Sequence, residues 1–332
     1  MPIAAITGAT GLVGANLAVQ LRAAGHTVRC TRRAGSKTTL LDGVGVEWAE
    51  ADLSRPEALA RAFDGADVVF HCAAAVSIRK KPTPEMVATN VDGTRHVCAA
   101  VRQAGVKRLV HCSSVVAVGL TENGQPSTEE AVWNFDRHGL ADGYAITKRD
   151  AERVVADEVR AGLDAVIVNP TYMFGPYDQR PSSGGMIIEV IRGKVPGYSS
   201  GSNNFVDVRD VTRGMIAAWQ RGRAGERYIL GGENMPYRDC FRRIAAVAGV
   251  KPPRFAIPRW IAAPVGWAGD LQEAFSKRDP LISSNTLAWG YATTFQFDSS
   301  KARRELGYTT GELDVAIRDA IEWFRAHDML PR

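Results

Sequence analysis

Between Ile3 and Asn169 the chain alternates short apolar, β-branched runs with longer amphipathic stretches, and this rhythm limits its possible folds more than any other feature. The runs Ile3–Thr7, Thr27–Thr31, Val46–Ala49, Asp67–Cys72, Arg108–Cys112 and Ala165–Asn169 read as strands. Helical periodicity fills the gaps near Gly11–Ala24, Pro56–Phe63, Pro84–Ala104 and Asp142–Ala161. Several of the strands are apolar throughout rather than alternating, as strands covered on both faces must be. Strands that alternate with helices predict an α/β fold, a doubly wound parallel sheet with right-handed crossovers.

The rhythm changes after Pro170. Residues 171–204 are rich in Gly, Pro, Ser and aromatics and read as loops around a ligand. A βα-like piece returns at Phe205–Gln220 and a strand at Arg227–Leu230; the remainder reads as mostly helical, broken by prolines. The expected division is a dinucleotide-binding domain over 1–169 and 205–228, with a smaller substrate-binding cap over 170–204 and 229–330. Trp260 and Trp267, in a proline-interrupted helix, are expected to pack on the cap rather than touch a membrane.

Composition excludes several classes. Apolar residues make up 45% and charged residues 23%, which removes disordered chains. No apolar run approaches the roughly 18 to 20 residues a membrane span needs. Strand-like sequence begins at Ile3, so no leader peptide is expected. The five cysteines have no metal-ligand spacing and read as reduced core residues of a cytoplasmic protein, with no metal. His71 and His111, inside apolar strands, read as satisfied core residues. The net charge of +5 is spread along the chain, which argues against nucleic-acid binding.

The first strand runs into Thr7-Gly8-Ala9-Thr10-Gly11-Leu12-Val13-Gly14 and then a helix. A tight turn, a close backbone approach and small residues for helix–strand packing suit the pyrophosphate of a dinucleotide. The helix N-terminus adds free N–H groups. The second strand ends in Thr31-Arg32-Arg33, where an NAD-binding chain usually places an acid. Two guanidinium groups suit a ribose 2′-phosphate, so NADP(H) is the preferred cofactor and NAD(H) the alternative. Asp52-Leu53 would meet the adenine edge, unless a polar residue there only caps the next helix.

Tyr144 and Lys148 lie four residues apart, on one face of an expected helix. That helix follows a strand ending Cys112-Ser113-Ser114, at the carboxyl edge where such sheets bind ligands. A phenol titrates near pH 10, so it needs a neighbouring cation to exchange its proton readily at neutrality.

Together these motifs resemble the extended short-chain dehydrogenase/reductases. Asn90-Val91-Asp92-Gly93-Thr94 and Phe205-Val206-Asp207-Val208-Arg209-Asp210 fall in that family's order. Asn169-Pro170-Thr171, Tyr228-Ile229-Leu230-Gly231-Gly232 and Glu305-Leu306-Gly307-Tyr308 are similar to its dihydroflavonol 4-reductase-like subgroup, which includes hopanoid-associated sugar epimerases. The resemblance implies Ser114, Tyr144 and Lys148 as the catalytic set, Ser114 being chosen over Ser113 by register. It also implies cofactor contacts from Gly8, Thr10, Gly11, Leu12, Val13, Gly14, Ala73, Ala74, Ala75, Pro170 and Thr171. Asn90 would mainly brace its helix.

Candidate substrate residues are Val76, Ser114, Trp133, Phe135, Tyr172, Met173 and Met186, with Ser77, Phe174, Tyr198 and Phe205 nearby. Their apolar character favours an aromatic or alicyclic carbonyl compound. The expected activity is NADP-dependent reduction of such a substrate, or oxidation of the matching alcohol, by a monomer or homodimer. The alternatives are a nucleotide-sugar epimerase or dehydratase holding tightly bound NAD(P), and a non-catalytic NADP(H) sensor.

Overall fold

The apolar runs become strands because each must be covered twice. The protein is described by a computed structural model over residues 1–276 and 282–331. Its strands are β1 (Ile3–Thr7), β2 (Thr27–Arg32), β3 (Glu47–Glu50), β4 (Val68–His71), β5 (Arg108–Cys112), β6 (Ala165–Pro170), β7 (Tyr172–Phe174), β8 (Ser202–Asp207), β9 (Arg227–Leu230) and β10 (Glu233–Pro236). Seven of them form a parallel sheet in the order β3-β2-β1-β4-β5-β6-β9. Every residue of β4 and β6 is buried. Their side chains still alternate between two cores. Val68, Phe70, Val166 and Val168 join Leu17, Leu21 and Met215 on one face. Val69, Ala165 and Ile167 join Leu59, Phe63, Val101 and Val155 on the other. Fully burying a Leu or Phe side chain stabilises the fold by about 1.5 to 3 kcal/mol, so a charge at Val69 or Val168 would break a layer.

The order of connection reverses between β1 and β4. This is the switch point at which the carboxyl ends of an open parallel sheet leave a crevice. The turn after β1 and the loop after β4 therefore face each other across it. A Cβ on Gly8, at φ +74°, would lie 2.6 Å from the Ala73 backbone nitrogen.

A second, three-stranded sheet in the order β10-β8-β7 carries the cap. Its core holds Phe174, Phe205, Ile187, Ile244, Ile317 and Phe324. Residues 171–204, read as loops, contain β7, the helix Gly185–Ile191 and the start of β8. At three and seven residues, the strand and helix are too short to show a period. Residues 300–308 also return to the large sheet, where Ala302, Leu306 and Tyr308 pack with Val211 and Tyr228. The Phe205–Asp210 motif ties the two parts together. Asp207 caps the helix Val208–Arg221 by accepting from the Arg209 N–H at 2.7 Å, and Asp210 accepts from the Gly311 N–H at 2.8 Å.

One expectation reverses. Trp260 and Trp267 do not pack on the cap; they are 76% and 68% exposed on the helix Arg259–Phe275. The inner face of that helix is glycine. A Cβ on Gly269 would lie 1.7 Å from the Ile282 carbonyl oxygen, and one on Gly266 would lie 2.7 Å from Leu287. Such a close approach leaves no room for large side chains inside, so they face solvent. Among the described residues, no helix is long and apolar enough to cross a membrane.

Candidate active site

The glycine turn is built from three different demands. Gly8 adopts φ +74°, which a side chain resists, and touches the loop after β4. Gly14 packs the following helix onto the turn, since a Cβ there would lie 2.3 Å from the Gly8 carbonyl oxygen. Gly11 is different. It is exposed, its φ is −96°, and the nearest atom to a Cβ would be 3.4 Å away. Nothing in the protein requires glycine at that position, whereas a phosphate approaching the backbone would. No side chain caps the helix Leu12–Ala23, so the N–H groups at its start are left without a side-chain partner, beside half-buried Thr10, Leu12 and Val13. At the end of β6, the buried Thr171 hydroxyl has no protein partner, directly after buried Pro170. An open glycine, an uncapped helix start and an orphaned hydroxyl fit a dinucleotide.

Arg32 ends β2 in register with Glu50 of β3 and lies 3.7 Å from its carboxylate. Arg33 follows, exposed, in the next turn. The Asp52 carboxylate accepts from the Ser54 N–H at 2.8 Å and the Ser54 hydroxyl at 2.7 Å. Those two bonds, then the Arg33 and Arg55 charges, hold it below the usual carboxylate range. Asp52 thus closes a local turn and does not cap the helix Pro56–Phe63, whose start has no side-chain cap. Leu53 packs against Gly93, and its carbonyl oxygen lies 2.7 Å from His96 Nδ1.

The helix Gly143–Arg160 starts where Asp142 accepts from the Ala145 N–H at 2.7 Å. Its first two turns present Tyr144 and Lys148 on one face, with Lys148 Nζ 6.0 Å from the phenol ring centroid. The Ser114 hydroxyl accepts from the Val116 N–H at 3.4 Å and stands near enough to the Tyr144 phenol to lower its pKa. Ser113 points elsewhere: it is buried, and its hydroxyl has no protein partner. Burial pushes the Tyr144 phenol well up, helped by the nearby Cys112 thiol and opposed by the Ser114 hydroxyl. Lys148 donates to the Cys112 carbonyl oxygen at 2.9 Å. Burial lowers its pKa, against the pull of Cys112, Cys72 and Glu152.

Two further residues hold this arrangement, and the sequence reading missed both. Asn169, at the end of β6, donates to the Ser114 carbonyl oxygen at 2.9 Å and to the Glu152 carboxylate at 2.6 Å. Glu152 lies one turn beyond Lys148 on the same helix face, and that spacing was the available signal. Asn90 sits in a π-helical turn, Val87–Asp92, within the helical stretch 84–103. Its side chain accepts from the Ala75 N–H at 2.7 Å and donates to the Ala75 carbonyl at 2.9 Å and the Thr147 hydroxyl at 3.0 Å. It clamps the loop carrying Ala73, Ala74 and Ala75 to the Tyr144 helix. His71 is bonded to the Thr7 and Thr94 hydroxyls at 2.7 and 3.1 Å. Both ring nitrogens of buried His111 lack a protein partner.

The candidate substrate residues divide. Val76 is 61% exposed on the loop after β4, with Ser77 half-buried beside it. Phe135, Phe174 and Phe205 are wholly buried core. Tyr172 and Met186 pack in the cap core, whereas Met173 packs against the core of the large sheet. Adjacent residues of β7 point to opposite faces, so Tyr172 and Met173 cannot line one wall. Trp133 stacks on Phe135, donates to the Val116 carbonyl at 2.9 Å and carries the Arg149 guanidinium 4.3 Å above its ring. It lines an open groove of about 870 Å³ with Arg149, Glu152 and Arg227, a groove without Ser114, Tyr144 or Lys148 in its walls. Tyr198 bridges to Ala256 at the edge of the cap.

Residues 4–231 match the model of the NAD dependent epimerase/dehydratase family. The chain belongs to that family. It is similar to sterol demethylase protein B of Methylococcus capsulatus, at 35% identity over 98% of this chain and 99% of that one. It is also similar to cinnamoyl-CoA reductase 1 of Oryza sativa subsp. japonica, at 32% identity over 72% and 74%. Among solved structures, a nucleoside-diphosphate-sugar epimerase from Pseudomonas aeruginosa superimposes with a TM-score of 0.82 at 30% identity, covering 99% of each chain. The family sits within the extended short-chain dehydrogenase/reductases, which makes the chain an oxidoreductase or epimerase of that type. Among the described residues, no cluster of His, Cys, Asp or Glu could hold a metal ion.

Proposed function

We propose that this chain is an NADP(H)-dependent oxidoreductase that reduces the carbonyl of a small aromatic or alicyclic compound, or oxidises the matching alcohol. The observation that carries the reading is Tyr144 and buried Lys148 on one helix face, with Lys148 Nζ 6.0 Å from the phenol ring and Ser114 near them, at the carboxyl edge next to the glycine turn. The turn and the start of the helix Leu12–Ala23 would hold the pyrophosphate, and Arg32 and Arg33 the 2′-phosphate. When bound, the cofactor supplies the hydride.

The protein's own groups manage the proton. Tyr144 gives its O–H proton to the carbonyl oxygen as that oxygen gains an electron pair, and takes it back in the reverse direction. Burial keeps the phenol protonated at rest, which suits a proton donor. Lys148 stabilises the phenolate that remains and would hold the ribose beside the nicotinamide. Ser114 donates to the developing oxyanion. Asn169 and Glu152 fix the backbone under Ser114, so this donor needs no rearrangement.

Relatives named for a sterol and for cinnamoyl-CoA favour an alicyclic or aromatic group at the reacting carbon. A second reading, a nucleotide-sugar epimerase with tightly held NAD(P), is favoured by the Pseudomonas aeruginosa likeness. Weighing against it, the cationic residues of the 171–204 segment are poorly placed to hold a diphosphate. Arg192 donates to the Met329 carbonyl at 2.9 Å, and Arg180 and Lys194 are exposed. A panel of carbonyl compounds and nucleotide sugars, followed at the NADPH absorbance band, separates the two. Net NADPH oxidation with an added aromatic or alicyclic ketone or aldehyde supports reduction; sugar interconversion without net oxidation overturns it.

A further inference from the structure

The helix Arg259–Phe275 is amphipathic the wrong way round for a helix of a water-soluble surface. Its inner face is Gly266 and Gly269 against residues 282–287, with Asp270 and Glu273. Both acids are engaged by the body of the protein. Asp270 lies 2.7 Å from Lys80 Nζ, and Glu273 accepts from the Lys80 N–H at 3.0 Å. The outer face carries Trp260 at 76% exposure, Trp267 at 68%, Leu271 at 63% and Phe275 at 86%, with Ile261 and Val265 about half exposed. Phe255, 59% exposed, extends it upstream. An aromatic side chain offers about 150 to 250 Å², so the four aromatics alone present on the order of 500 Å² of ring surface. With the aliphatics added, the patch exceeds the largest apolar patch of a typical monomer, about 300 to 600 Å².

Charge decides what covers it. The exposed positions of this helix include one cation, Arg259, and no acid. Lys251 and Arg254, both exposed, stand on the segment leading into it. Among the described residues, neither the exposed positions of this helix nor the segment 251–258 carries an acid, and a face of Trp, Phe and Leu flanked by these cations complements an anionic lipid surface, where rings settle at the headgroup level. A second copy of the same face would bring its own cations and no acid to meet them.

The helix is clamped to the loop 79–80, and Arg79 also accepts from the Gly143 N–H at 2.9 Å, at the first residue of the helix that carries Tyr144. The helix is therefore tied, through that one loop, to the start of the helix that carries Tyr144.

We infer that the outer face of the helix Arg259–Phe275, with Phe255, Arg254 and Lys251, is a monotopic docking surface for an anionic bilayer. The helix lies in the plane of the interface: 17 residues with Pro264 inside do not cross a membrane. This goes beyond the reaction assigned above, and its test needs no turnover.

The test is flotation of the full chain with vesicles of phosphatidylcholine alone or with one quarter phosphatidylglycerol, at low and high salt. The expected result is retention on the anionic vesicles, weakened by salt, and reduced at least about tenfold in Trp260→Glu/Trp267→Glu. Both residues are exposed, so the double variant should keep its unfolding midpoint; Arg254→Gln/Arg259→Gln, which leaves the apolar face intact, should lose the preference for anionic lipid. Absence of flotation on either vesicle would overturn the inference, as would unaltered flotation of the tryptophan variant. Equal flotation on neutral and anionic vesicles would overturn the role of the cations. A lipid-free dimer that the tryptophan variant dissociates, without vesicle binding, would assign the face to self-association instead.

Discussion

Replacing Arg32 and Arg33 with alanine tests the cofactor assignment, and the geometry sets the size of the effect. A hydrogen bond to a charged group contributes about 1.5 to 3 kcal/mol net. The low end applies here, because the Arg32 side chain is 34% exposed and Arg33 is exposed, where water and salt screen such bonds. Arg32 must also release Glu50, which stands 3.7 Å away and is 59% exposed. An exposed pair of that kind is worth about 0 to 1 kcal/mol. The two arginines together then favour NADPH over NADH by about 2 to 3 kcal/mol, or about thirty- to 150-fold. The double variant should lose most of that preference by weakening NADPH alone, since NADH has no phosphate to lose. Competitive titration of the two reduced cofactors at two ionic strengths measures it, and the wild-type preference should shrink as salt rises. Equal affinity in the wild type, or a double variant that still strongly favours NADPH, would refute the assignment.

Further outcomes follow from the catalytic helix. Tyr144→Phe should lower turnover by about 10²- to 10⁴-fold while leaving cofactor affinity near wild type, measured by single-turnover kinetics and titration; a variant retaining a tenth of the rate would remove Tyr144 as the proton donor. Ser114→Ala should slow hydride transfer by about 2.7 to 4 kcal/mol of barrier and Ser113→Ala far less, because Ser114 is the serine whose hydroxyl acts on the phenol; the reverse order would show the wrong serine was chosen. Asp142 predicts a pH effect on stability. Burial raises its pKa from 3.8 to about 6, so between those values the folded chain holds a proton that the unfolded chain has released. Its favourable contribution is complete below about pH 4 and lost as the pH rises through 6. Asp142→Asn keeps the cap without the charge and should be more stable than wild type at pH 7.5 by up to about 3 kcal/mol, an advantage that vanishes near pH 4. Denaturant unfolding at both pH values would expose the reasoning as wrong if the difference were the same.

Much of this molecule was legible because it is local. Strands covered twice are apolar throughout, and β1, β5 and β9 begin and end where the runs do. Tyr144 and Lys148 share a face because they are four residues apart on a helix. Gly8 and Gly11 lie in one turn and Gly14 in the first turn of the helix after it, although the separate reason for each emerges only once Ala73 and that helix stand beside it.

What the tertiary structure decided joins residues far apart in sequence. Asn169, 55 residues on from Ser114, holds the Ser114 carbonyl and the Glu152 carboxylate. Phe135 and Phe205, apolar and near the site in sequence, are wholly buried. Tyr172 and Met173 part because three residues of the expected loop are a strand. The plainest case is the helix Arg259–Phe275. Its tryptophans read as core by hydrophobicity, which gives the cost of exposure but not the side on which a neighbour stands. Two glycines packed against residues 282–287 settle that side, because a backbone at van der Waals contact leaves volume for hydrogen atoms and none for an indole.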